Sequence, residues 1–130
     1  MKVNHHSEIE LKTVEMEGAS KSKVRQLIGQ NVEAANFAMR MFEIDPGGYT
    51  PRHQHDYEHE IYVLEGEGVV FEGDTQHKLK QGDVVYVHPN DVHQFRNTGS
   101  SAMKMLCLIP NSATGKEVKV VPECGVESTS

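Results

Sequence analysis

The chain has 130 residues, 37% apolar and 25% charged, a balance that fits one globular domain and leaves too little material for a second core. A net charge of −6 and a pI near 5.7, with lysines in scattered pairs, argue against nucleic acid as a partner, because a phosphate backbone calls for a basic surface. No apolar run approaches the roughly 18 residues of a membrane helix, and the first residues lack the pattern of a secretory signal, so no membrane partner is expected.

In chain order, residues 1–10 are polar and expected to be loose. Strand-like segments follow at 24–30 and 36–44, and Asp45-Pro46-Gly47-Gly48 has the turn chemistry to close the second. Between them, residues 31–37 hold at most one helical turn. Residues 59–65 alternate as a strand. Val69-Val70-Phe71 meets the turn Glu72-Gly73-Asp74, a hairpin signature, and Gln81-Gly82-Asp83 leads into a strand at 84–87. A loop at His88-Pro89-Asn90-Asp91 precedes a short strand over 93–96. The last strand, Ala102 to Ile109, stops at Pro110-Asn111, and 122–130 is again polar.

Short strands at regular spacing, with no stretch of helical period, predict an all-β sandwich or barrel. Residues 1–130 read as a single domain with a core over about 24–110. The two cysteines, Cys107 and Cys124, are too few for a disulfide scaffold, and Cys107 falls in an apolar strand pattern. Reduced thiols and a cytoplasmic location are therefore expected.

Eight histidines are the compositional oddity, and four fall between 53 and 77. In Pro51-Arg52-His53-Gln54-His55-Asp56-Tyr57-Glu58-His59, an extended backbone would turn positions 53, 55, 57 and 59 to one side. His93 arrives later, on what would be a neighbouring strand. Imidazole nitrogen is the commonest ligand for transition metals, so this convergence predicts a metal site on His53, His55, His59 and His93. An isolated His-x-His pair is more often a solvated loop feature, and only the wider pattern reverses that reading.

The wider pattern is one of spacing. Gly47 is followed by five residues, then His53-x-His55, three residues, His59, six residues and Gly66. Downstream, Gly82 is followed by five residues, His88-Pro89-Asn90, two residues, His93, three residues and Asn97. In these two motifs, over about residues 37–110, the chain resembles the cupin superfamily, and in particular its small four-histidine members. Three departures stand out. His59 occupies the place of the usual glutamate ligand, the proline of the second motif has moved one position, and Asn90 stands where glycine is usual. Asparagine tolerates left-handed backbone, so the last is benign. Glu60 is an alternative to His59, because the motif allows a longer gap. The distance from His59 to Gly66 and its parity with His53 and His55 favour the histidine.

The resemblance implies a double-stranded β-helix, or jelly-roll, holding one divalent transition metal, with manganese first and iron, nickel or zinc as other fits. An imidazole in place of a carboxylate leaves the metal's charge undiminished. Strand parity turns Lys104 outward and Met105, Cys107 and Ile109 inward, with Phe95 inward after His93. The resemblance also brings Arg40 to the pocket. Cys107 is most simply a small buried hydrophobe, and the tyrosines read as packing residues. Implied functions are a metal-dependent dioxygenase acting on a small organic substrate, a non-redox isomerase, cyclase or lyase, or a metal- or ligand-binding module. Small cupins pair through their sheets, so a homodimer is expected, with apolar faces at Val24–Ile28 and at Leu106 and Leu108.

Overall fold

The computed structural model describes residues 1–113 and 119–120. Its strands are β1 (Lys12–Thr13), β2 (Ser20–Ile28), β3 (Phe37–Tyr49), β4 (His53–Gln54), β5 (His59–Glu65), β6 (Glu67–Glu72), β7 (Thr75–Lys80), β8 (Val84–Val87), β9 (His93–Asn97), β10 (Met103–Pro110) and β11 (Lys119–Val120). Only short 3-10 turns interrupt them among the described residues. Every pairing is antiparallel. One layer runs β1-β2-β3-β10-β5-β8 and the other β11-β4-β9-β6-β7. The end of β3 joins them through Tyr49 opposite Arg96. The result is a curled, two-layered jelly roll.

Alternation along the strands decides what lies inside. Met103, Met105, Cys107 and Ile109 of β10 are all buried, while Lys104 faces out and pairs with Glu65 at 3.5 Å. Cross-strand register extends this inner face. Met105 lies opposite Phe42 and Val63, and Cys107 opposite Arg40 and Ile61, while Phe42 and Arg40 lie opposite Val24 and Gln26 of β2. Ile44, Val63 and Met103 are fully enclosed and close one end of the barrel. The other end is left for the histidines.

Three expectations about local structure change. β3 does not stop at Asp45 but continues to Tyr49. Gly47, at φ +80°, bends the strand from one layer into the other, so residues with turn chemistry redirect the strand. The histidine segment is not one strand, because regular pairing is lost between Gln54 and His59. The chain there crosses between layers, leaving His53 beside β9 and His59 beside β8. Val24 contributes to the interior, so only the outward residues of 24–28 bear on an outer apolar face. Just after the polar residues 1–10, β1 pairs Lys12 with Val24 and Thr13 with Lys23, a strand that the sequence did not mark.

Cys107 is buried and free of any disulfide, whereas Cys124 and residues 122–130 lie outside the described residues. Among the described residues, no helix is long and apolar enough to cross a membrane.

Candidate metal centre

Strand pairing sets the site from below. His53 of β4 lies directly opposite His93 of β9, and their rings stand 4.3 Å apart. His55 follows at the loop's start, its ring 5.3 Å from His53 and 5.0 Å from His93. One nitrogen from each of these three residues lies within 4.8 Å of the others, a grouping that could hold a metal ion. His59 opens β5 on the facing layer, 4.3 Å from His55 and 5.2 Å from His93 ring to ring, and 6.4 Å from His53. It borders the group of three and is not part of that tightest set. Glu60 is exposed on the outer face opposite Tyr86, turned away from the cluster.

Hydrogen bonding sorts the ring nitrogens. Nδ1 of His53 meets the carbonyl of Pro51 at 2.7 Å, that of His55 meets Tyr57 at 2.7 Å, and that of His93 meets Asp91 at 2.8 Å. A carbonyl only accepts, so each Nδ1 carries the proton and each Nε2 keeps a lone pair. Nε2 of His55, His59 and His93 is buried with no hydrogen-bond partner. Buried polar atoms are almost always paired, and inward-facing lone pairs without donors are what a metal cation satisfies. On that test the residues fit a divalent transition metal.

Electrostatics keep the rings neutral. Burial is the largest cause in each case and lowers the pKa of His53, His55 and His93 to about 4. Neighbouring imidazoles contribute to this lowering in all three, and Arg40 does so for His53 and His55. His59 is pushed well below the ordinary imidazole range, first by burial and then by Arg40. Neutral imidazoles at working pH are the ligating form.

A cavity of about 390 Å³ opens from the cluster along the barrel interior. Arg40, Phe95, Met105, Cys107 and Ile109 line it. The Arg40 guanidinium lies 3.2 Å from Cys107 Sγ and 5.0 Å from the centre of the Phe42 ring. Cys107 Sγ in turn lies 3.5 Å from His59 Nδ1. Burial raises the thiol's pKa above its usual value.

Three contributors escaped sequence reasoning. Gln26 sits in the inner row with Arg40 and Cys107, a placement that only the β2–β3 register reveals. The β1 segment adds residues 12–16 to the cavity wall. Tyr57, read as packing, lines the cavity and stacks on His55, centroids 3.9 Å apart and planes 6° from parallel. Burial raises its hydroxyl's pKa. The parity of 53, 55, 57 and 59 was the one available signal, and Tyr57 obeys it in spite of the bend. His77 and His88 stand at the surface, paired with Glu72 at 3.0 Å and Asp91 at 3.4 Å.

The matches with known proteins agree with this architecture. Residues 40–109 match the family described as Cupin domain. The chain is 33% identical over 81 residues to an oxalate-binding protein of Thermotoga maritima, covering 59% of this chain and 67% of that one. It is 27% identical over 100 residues to L-ectoine synthase of Hyphomonas neptunium, covering 75% and 72% respectively. Among solved structures, it superposes on the polyketide cyclase RemF of Streptomyces resistomycificus with a TM-score of 0.86 and 28% identity, over 96% of this chain and 88% of that one. By fold, histidine cluster and the span of the family match, the chain belongs to the cupin family.

Proposed function

We propose that this protein is a metal-dependent enzyme that closes or isomerises a small carbonyl-bearing molecule without net oxidation, with the metal held by His53, His55, His59 and His93. The likeness to a polyketide cyclase over nearly the whole chain carries the reading. The site's chemistry supports it in two ways. All four proposed ligands are uncharged imidazoles, a set that favours zinc, nickel or iron over the manganese that resemblance put first, because manganese prefers oxygen donors. A buried thiol beside His59 would also stand exposed to oxidation next to a centre that activates oxygen, which weighs against the dioxygenase reading.

When bound, a divalent ion supplies Lewis-acid polarisation of a carbonyl oxygen. The chain's own residues do the rest. Phe95, Met105 and Ile109 give the substrate an apolar wall that folds it and excludes water. Tyr57 Oη, kept protonated by its raised pKa, is the hydroxyl placed to hold or return a proton at the cavity wall. An intramolecular aldol closure joins an α-carbon to a carbonyl carbon, moves the α-proton to the new oxygen and needs no oxidant.

A homodimer fits the outer face of the first layer. Leu106, Tyr62 and Val84 form a row across β10, β5 and β8. Val84 is 73% exposed and Tyr86 beside it 51%. A monomer on sizing at micromolar concentration would remove this element.

Elemental analysis of protein from metal-balanced medium, paired with an assay on a linear poly-β-ketone with and without oxygen, tests the function. The expected result is zinc or nickel bound to the protein and ring closure indifferent to oxygen. Oxygen consumed in step with product, on iron or manganese, would make the protein a dioxygenase. Bound metal with no turnover of carbonyl substrates would make it a binding module. In the same preparation His59→Ala should lose most of its metal while Glu60→Ala keeps it.

A further inference from the structure

The cavity wall carries Lys12 and Glu15 on exposed positions, while its half-buried part carries the cation Arg40 with no anion beside it among the described residues. Arg40 cannot shed its proton in a protein, and it lies on the inner face between Gln26 and Cys107. Its guanidinium contacts the Cys107 sulfur and the face of Phe42. Both fix where the guanidinium sits, yet neither cancels its charge. Among the described residues no carboxylate forms an ion pair with Arg40, and the only acidic side chain on the cavity wall, Glu15, is exposed in the segment after β1. The protein's other half-buried arginines are treated differently. Arg52 donates to the carbonyl of Gly73 at 3.0 Å and faces Asp74 at 3.8 Å, and Arg25 donates to the carbonyls of His6 and Ile9.

A guanidinium is a planar fork of donors matched to carboxylate geometry. Here the fork is held beside the histidine cluster, close enough for Arg40 to depress the pKa of His59, His53 and His55. With imidazoles in every proposed ligand position, the region carries only positive charge once a metal is present. A desolvated cation of this kind is costly unless something negative joins it.

We propose that Arg40 is the recognition residue for a carboxylate on the ligand, so that the cavity selects a free carboxylic acid with an apolar body over its ester, amide or thioester. This rests on the reading that the cavity is the substrate's binding place. Phe42, Phe95 and Met105 take the apolar body, and Arg40 takes the acid in a two-pronged ion pair.

Benzoate and benzamide, equal in size and different in charge, are the probes. Each is titrated by calorimetry into zinc-loaded and metal-free protein, for the wild type and for Arg40→Gln and Arg40→Lys. The wild type should bind benzoate about tenfold or more tightly than benzamide, as charge-assisted pairing implies. Arg40→Gln should lose that preference in the metal-free protein, where no zinc competes for the carboxylate. If Arg40→Gln does not fold, Arg40→Lys decides, because losing the fork should weaken benzoate several-fold. In the metal-free protein, no preference for benzoate in the wild type, a preference that survives in Arg40→Gln, or unchanged benzoate affinity in Arg40→Lys would each overturn the assignment. A protein that takes up no zinc yet keeps an Arg40-dependent preference would instead sink the proposed enzyme and leave the carboxylate site standing.

Discussion

Three of the four clustered imidazoles donate an Nδ1 hydrogen bond to a backbone carbonyl two residues away, and His59 faces the sulfur of Cys107 instead. A carbonyl fixes tautomer and ring orientation firmly, whereas a thiol sulfur is a weak acceptor. Arg40 steadies that sulfur from the other side. If Cys107 orients His59, its removal should cost metal affinity even though it touches no metal itself. Cys107→Ala is expected to weaken zinc binding by roughly 10–100-fold, the usual range for partners behind a ligand. Cys107→Ser, whose hydroxyl still accepts, should recover most of the loss. Competition with a chromophoric chelator measures both. Equal affinity in Cys107→Ala and the wild type would reduce the residue to a core filler, which is how its strand pattern alone reads. The four histidines and Cys107's inward face were legible because alternation and motif spacing act locally. The Cys107 to His59 contact was not, since it depends on how β10 and β5 pair across 48 positions of sequence.

At the scale of elements, the sequence marked most strands but misread where one ends. Gly and Pro signal a change of direction without saying whether the strand stops or bends. In β3 it bends, and Gly47 at φ +80° carries the bend. The site depends on that bend, because it delivers the chain from the first layer to His53 on the second. A Cβ at Gly47 would meet only the Lys21 amine at 3.9 Å, so the obstacle to substitution is backbone conformation alone. Gly47→Ala should therefore cost about 1–2 kcal/mol, the usual penalty for left-handed backbone. Gly47→Asn should cost less, as asparagine tolerates that region and already occupies it at Asn90, φ +70°. Urea unfolding of the two variants gives the comparison, and equal losses would mean that packing sets the cost. Strands β1 and β7 were harder to see for a simpler reason. Their residues are largely exposed and polar, so neither leaves a hydrophobic alternation to read.

For the whole molecule, gathering neutral histidines in the barrel ties folding to pH. An imidazole in the unfolded chain takes up a proton near its ordinary pKa of 6.5, whereas His53, His55 and His93 in the fold wait until about pH 4. Between those values the unfolded state binds more protons than the folded state, so the free energy of unfolding falls as the pH falls. Above about 6.5 these groups are neutral in both states and stability is independent of them. Below about 4 these three are protonated in both states and add no further loss, whereas His59, held lower still, goes on favouring the unfolded chain. The metal-free protein should therefore hold a constant urea midpoint from pH 8 down to about 6.5 and lose stability steadily to about pH 4. Zinc binds only the neutral imidazoles of the folded state, so saturating zinc should move the whole decline to lower pH. Midpoints measured with and without zinc across this range provide the check. A metal-free protein whose midpoint does not change between pH 7 and 4.5 would mean that the cluster opens to water and protonates without unfolding. The barrel end would then be a loose rim and not the preformed metal socket described above.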